Sequence, residues 1–183
     1  SLPDFLQQKL QTKKGNIIEI SFEFYKDKPT PKSMIGQSQK TTYTHLDGEA
    51  VGRHQGAHFF TIGQRKGLAV GGTPEPLFVI DTDVDENIVY VGQGKEHPGL
   101  HRKALKVVSD EIHWVRNDLK IPLGVKLEVK ARIRYRQPLQ KATLIKQKEA
   151  LYVVFEQPQS AITSGQFVAW YQNEELVGSG VIS

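Results

Sequence analysis

From residue 125 to 136 apolar and charged side chains alternate without a miss. Val125, Leu127, Val129, Ala131, Ile133 and Tyr135 fall on one parity, and Lys126, Glu128, Lys130, Arg132, Arg134 and Arg136 on the other. A period of two sends the two sets to opposite faces of an extended strand, one toward a core and one toward water. Shorter β-rich runs follow the same style at 104–108, 112–115, 142–145, 150–155, 166–171 and 176–182. Five or six short strands with turns every ~8–12 residues predict a small closed barrel over 100–183.

The first hundred residues are patterned differently. Leu2, Phe5, Leu6 and Leu10 stand near helical spacing, with Pro3 in the permissive first turn and Lys13, Lys14 and Gly15 as stop signals. A strand over 16–20 and a second beginning at Ala50 are expected. Leu77-Phe78-Val79-Ile80 and Ile88-Val89-Tyr90-Val91 predict a β-hairpin across an acidic connection. Between Ser21 and Leu46 there is no sustained period, and Pro29, Thr30 and Pro31 break the stretch, which predicts a hairpin or a mobile loop. Gly94, Pro98 and Gly99 mark a boundary. The expected fold is mainly β with a small α+β part: an α+β domain over 1–99, then a six-stranded barrel over 100–183.

Charge sharpens this picture. The net charge is +4, but residues 1–100 sum to -1 and residues 101–183 to +5. Eight cations and only Glu128 as an acid fall within 126–148, the footprint of a polyanion partner. Charged faces outside a barrel are also ordinary solubilising surface, and five cations against one acid on a single face exceed that need. A second basic feature is Gln64-Arg65-Lys66 between Gly63 and Gly67, preceded by Phe59 and Phe60 and closed by Gly71-Gly72. Glycines so close together permit positive φ or a close approach. An aromatic core segment followed by a solvated turn would look the same.

Other chemistry is thin. The chain has no cysteine, hence no disulfide, thiolate metal site or sulfur-carrying nucleophile. His54/His58 and His97/His101 are spaced four apart, yet neither pair brings a suitably placed acid, and no metal is expected. Asp81, Asp83 and Asp85 mimic a calcium loop, but Glu86 stands where that loop needs glycine and Gly92 where it needs glutamate. No phosphate-cradling Gly-x4-Gly-Lys-Ser/Thr loop occurs. No apolar run approaches the ~20 residues of a membrane span, and no secretory leader opens the chain, which points to the cytoplasm and away from a membrane.

Phe60-Thr61-Ile62-Gly63-Gln64-Arg65-Lys66-Gly67-Leu68 resembles the signature of the central domain of the tRNA-specific 2-thiouridylases, in older naming tRNA (5-methylaminomethyl-2-thiouridylate)-methyltransferases. The likeness runs upstream through Asp47 to Gly56 and downstream through Gly71-Gly72. Ala131-Arg132-Ile133-Arg134-Tyr135-Arg136-Gln137-Pro138, Phe155 to Gln159, Thr163-Ser164-Gly165-Gln166 and Val177 to Ile182 are similar, in order, to blocks of the family's C-terminal domain, itself similar to the β-barrels of translation elongation factors. Residues 21–46 are left outside, as an insertion. Ser179 replaces a usual glycine, and Ala142 and Leu176 stand where relatives often carry cysteine.

The resemblance implies an ATP-dependent sulfurtransferase that makes 2-thiouridine at the wobble position, with a sulfur-donor protein and tRNA as partners. It also implies that ATP and the paired cysteines belong to an N-terminal domain not contained in this sequence, so that the chain is an inactive C-terminal fragment without a cofactor of its own. The family's tRNA-contacting positions correspond to Arg134, Tyr135 and Gln166; Arg132, Arg136, Arg65 and Lys66 complete the candidate set. Strict alternation turns Tyr135 inward, away from Arg134. Either the strand ends or bulges there, or one contact is made by backbone. The alternative function is a non-catalytic barrel that docks a sulfur-relay or translation partner.

Overall fold

The computed structural model describes residues 12–183, so the helix expected at 2–10 lies outside the described residues. The described residues form two compact units, one of 12–28 and 42–100, the other of 29–41 and 101–183.

The first unit is built on a four-stranded sheet in the order β2-β1-β4-β3, made of β1 (Gly15–Glu19), β2 (Glu49–His54), β3 (Leu77–Asp83) and β4 (Ile88–Gln93). β1 runs antiparallel to β2 and parallel to β4, and β3 and β4 form the expected hairpin. Both faces of this sheet are covered. Ile17, Val79, Val89 and Val91 pack on one side with Ala57 and Leu68. Ile18, Ile80, Ile88 and Tyr90 pack on the other with Ile20, Tyr43 and Leu100. A strand buried on both faces reads as a continuous apolar run, which is why 77–80 and 88–91 show no alternation.

The second cover corrects the reading of residues 21–46. They hold no strand: a 3-10 turn at Phe22–Tyr25, helix α1 (Met34–Ser38) and a 3-10 turn at His45–Asp47 replace the expected hairpin or loop. Phe24, Tyr25 and Tyr43 pack over the sheet, and the Tyr25 and Tyr43 hydroxyls share a hydrogen bond of 2.5 Å. Burial, reinforced by that bond, holds the Tyr25 phenol far above its ordinary pKa. His97 is fully buried beside these rings, accepting from Gly99 N at Nδ1 (3.0 Å) and donating from Nε2 to Ile20 O (2.8 Å). α1 belongs to the other unit, where it packs on the strands His101–Val108 and Ala150–Ser160.

The second unit is one antiparallel seven-stranded sheet in the order β5-β9-β8-β7-β10-β11-β6, one strand more than expected. Its strands are β5 (His101–Val108), β6 (Ile112–Trp114), β7 (Lys126–Arg132), β8 (Gln140–Lys146), β9 (Ala150–Ser160), β10 (Phe167–Gln172) and β11 (Glu175–Val181). Each of the seven β-rich runs between 104 and 182 forms one of these strands, so the count of six was one short of the runs themselves; β6 is the shortest, three residues paired to β11. The sheet curls until Ser183 N donates to Lys106 O (2.8 Å), bringing the chain end past β11 onto β5. Val129 and Ala131 from β7 join Leu105, Leu144, Val153, Phe155 and Trp170 in the core. The Trp170 ring leaves no room for a side chain at Gly178, where a Cβ would lie 2.5 Å from Cζ2.

Candidate nucleic-acid interface

β7 ends at Arg132, four residues before the alternation stops. Gln137 draws the chain into a turn: Ile133 N donates to its Oε1 (3.0 Å) and its own N donates to Arg134 O (3.1 Å). Arg134, Tyr135 and Arg136 are therefore all exposed in succession, and Tyr135, expected inward by strict alternation, is 86% exposed. Of the explanations left open for the Arg134-Tyr135 pair, the end of the strand is the correct one. Val125, also expected inward, precedes β7 and stays 42% exposed.

The turn gathers charge and aromatic surface at one end of β7. The Arg132 guanidinium lies 5.4 Å from the Tyr135 ring and 5.1 Å from the Tyr171 ring, and Nη2 donates to Tyr171 Oη (2.9 Å). Cation–π contacts on both rings and the bond to Tyr171 hold the half-buried guanidinium in place. Arg134 Nη2 donates to Ser160 O (2.8 Å) and Ala161 O (3.1 Å). Ala161 O also accepts from Thr163 Oγ1 (3.0 Å), which links the Arg134 turn to the 163–166 turn carrying Gln166. Gln166 is half-buried with its Oε1 turned inward, and its main chain is held by Ile182 N, which donates to Gln166 O (2.7 Å). Phe167 beside it is 66% exposed. The structure thus brings Arg132, Arg134, Tyr135, Arg136 and Gln166 onto two linked turns of one unit.

Further along β7 the charge is balanced. Lys103, Lys130 and Lys141 line a groove of about 980 Å³ together with Glu128, Glu156 and Glu174. The excess positive field therefore belongs to the Arg132–Arg136 turn rather than to the whole strand.

Arg65 and Lys66 stand on the other unit. Both are exposed on a turn scaffolded by Gln64, whose Oε1 accepts from Thr61 N (3.1 Å) and whose Nε2 donates to Lys66 O (2.8 Å). Gly63 N donates to Val79 O (2.7 Å) and Val79 N to Gln64 O (2.9 Å), pinning the turn to β3. Gly63 has φ +89° and Gly67 +88°, as the bracketing glycines suggested. At Gly67 a Cβ would meet nothing closer than 3.5 Å, so the demand there is conformational. Gly67→Ala is expected to cost about 1 kcal/mol in chemical denaturation, and an unchanged midpoint would mean that the turn tolerates φ > 0 freely.

The first histidine of each four-spaced pair, His54 and His97, is buried and hydrogen-bonded to backbone. His54 is buried, its Nδ1 accepting from Gly56 N (2.9 Å) and its Nε2 donating to Asn87 O (3.0 Å). Asn87 Oδ1 in turn accepts from Ala57 N (3.0 Å), so this pair orients the entry to the signature turn. Burial pushes the His54 pKa below its ordinary value. Since the unfolded chain then binds the proton more readily, stability is complete above about pH 6.5 and falls as pH drops from there toward the folded-state value. Thermal melts between pH 7.5 and 5 should show this loss, and His54→Gln, weaker at neutral pH, should flatten it. Among the described residues no group of His, Asp or Glu is arranged to hold a metal. Asp83 Oδ1 accepts from Glu86 N (2.9 Å), the hydrogen bond of a hairpin turn.

Residues 32–93 match the tRNA methyl transferase PRC-barrel domain, and residues 104–182 the aminomethyltransferase beta-barrel domain. The tRNA-specific 2-thiouridylase MnmA of Christiangramia forsetii is 60% identical over 189 residues, covering 100% of this chain and 48% of the relative. That of Flavobacterium johnsoniae is 57% identical with the same coverage, and that of Halalkalibacterium halodurans is 44% identical over 138 residues, 75% of this chain and 36% of the relative. The chain belongs to the tRNA-specific 2-thiouridylase family. It carries that family's central and C-terminal domains and spans about half the length of the curated relatives it matches first, 48% in each. Charge and spacing along this chain do not single out Tyr171, Gln137 or Arg102. Tyr171 has the outward parity of β10, but its place beside Arg132 depends on the β7–β10 pairing, which joins strands distant in sequence.

Proposed function

We propose that this chain is the tRNA-binding portion of an ATP-dependent sulfurtransferase that makes 2-thiouridine at the wobble position of tRNA anticodons. The observation that carries this reading is the half-buried Arg132 guanidinium set against the exposed Tyr135 ring and the half-buried Tyr171 ring, with the exposed Arg134 beside it, on a chain of the thiouridylase family. Guanidinium groups neutralise phosphates without reading sequence, whereas exposed tyrosine faces accept unstacked bases. Arg134, Tyr135 and Gln166 are the principal contacts; Arg132 and Arg136 add charge on the same turn, and Arg65 and Lys66 offer a second basic turn. ATP activates the uridine in the complete enzyme, and a sulfur-donor protein feeds a thiol that this cysteine-free chain does not contain.

The test is equilibrium binding of an unmodified tRNA transcript across a salt series. Steeply salt-dependent binding is expected, with no 2-thiouridine formed when ATP and a sulfur donor are added to this chain alone. Thiolation by the pure chain would overturn the division of labour. A second reading, a barrel that docks a protein partner, is favoured by the balanced charge of the Lys130/Glu128 groove. Capture of a sulfur-carrier protein without any RNA affinity would select it.

A further inference from the structure

Three consecutive carbonyls, those of Ser160, Ala161 and Ile162, are all capped by arginine. Arg134 takes the first two, and Arg102 Nη2 donates to Ile162 O (3.1 Å). Arg102 also reaches a fourth carbonyl, donating from Nη1 to Ser38 O (2.5 Å) at the last residue of α1. A helix end leaves its final carbonyls without intrahelical partners, so Ser38 O is an acceptor waiting for such a donor. At the centre of the capped triplet Ala161 sits at φ +57°, a conformation that an L side chain holds only when its surroundings over-determine it. The Ser160–Thr163 turn is thus a strained element held from two sides. It is also the element through which Arg134 and the Gln166 turn are joined.

We propose that Arg102 is a positioning residue for tRNA, and that residues 29–41 act through it as a brace for the RNA-contacting turns. This rests on the reading of the Arg132–Arg136 turn as the tRNA site and assigns a task to a segment with no readable period of its own. α1 packs on β5 and β9, and Arg102 lies on β5 paired with Gln159 of β9, where the ladder shifts register before Ala104. Its fork therefore ties the end of α1 to the turn just beyond β9. With one prong on the brace and one on Ile162 O, it limits how far the triplet can relax. Arg134 then keeps its two carbonyls and Thr163 its one.

The experiment compares wild type, Arg102→Ala, Arg102→Lys and Arg134→Ala in the whole 183-residue chain, with an unmodified tRNA transcript as probe. Affinity, its salt slope and the active fraction by stoichiometric titration are each measured. Arg102→Ala should weaken binding about tenfold with the salt slope and active fraction unchanged, because the lost group orders the site and touches no phosphate. Arg102→Lys, which keeps the charge but cannot fork to two carbonyls, should recover only part of the affinity. Arg134→Ala should instead lower the slope by roughly 0.7–0.9. Unchanged affinity in Arg102→Ala overturns the inference. So does a slope that falls by one contact, which makes Arg102 a direct phosphate ligand. A reduced active fraction at unchanged affinity overturns it too, leaving Arg102 a purely structural group. Wild type without salt-dependent tRNA binding would sink the functional reading itself, a result distinct from all three.

Discussion

Replacing Arg132, Arg134 and Arg136 together by alanine is expected to weaken tRNA binding by roughly two orders of magnitude and to lower the salt slope by about 2–3. The loss should be similar for tRNAs of different sequence, since phosphate contacts carry no base information. Folding stability should fall as well. Arg134 alone donates to two main-chain carbonyls and Arg132 to the Tyr171 hydroxyl, and each lost hydrogen bond is worth about 1 kcal/mol. Binding must therefore be compared at temperatures where both proteins are folded, with a triple lysine variant as control. Lysines keep the charge and the salt slope but lose the planar fork and the stack between two tyrosines, so affinity should recover only partly. Unchanged binding in the alanine variant would reduce the turn to solvated surface. The contact would then fall to Arg65 and Lys66 or to residues outside this chain.

What was legible in the sequence followed from periodicity. Lys126 to Arg132 alternates because one face of β7 meets water and the other meets Val153, Phe155 and Trp170, and this physics is local enough to read from seven residues. The same rule failed three residues later. Gln137 satisfies Ile133 N through its side chain, and the backbone turns there although the residue types still alternate. Only Gln137-Pro138 after the run hints at a stop. The candidate site was half legible for the same reason. Arg132, Arg134 and Arg136 advertise themselves by charge, whereas Tyr171 and Arg102 reach them through strand pairings and a carbonyl triplet that no spacing rule encodes.

Residues 21–46 were illegible for a different reason. Phe24, Tyr25 and Tyr43 cover one patch of the first unit's sheet and Phe22 stands edge-on to His97, but the polypeptide between these rings leaves that unit at 29–41 and returns. A window short enough to detect a period never contains all four rings. Their role is visible only once Ile18, Ile80 and Tyr90 are seen to need a cover.

That cover makes Tyr43→Ala the most destabilising single change expected in the first unit, at about 3–4 kcal/mol. Tyr43 is 9% exposed, its ring centroid lies 5.3 Å from that of Phe24 and 5.4 Å from that of Tyr90, and its hydroxyl is bonded to Tyr25. Truncation would open a cavity over β4 and strand the Tyr25 hydroxyl in an apolar site. Tyr43→Phe separates the two effects: it keeps the ring, loses the hydroxyl bond and should cost about 1–2 kcal/mol. With two compact units a single melting curve does not report either one, so hydrogen exchange of the β1 and β4 amides is the suitable measurement. Those amides should lose protection by two to three orders of magnitude in Tyr43→Ala, while the β8 and β9 amides keep theirs. Equal protection of β1 and β4 in wild type and variant would show that the aromatic turns lie on the sheet without supporting it.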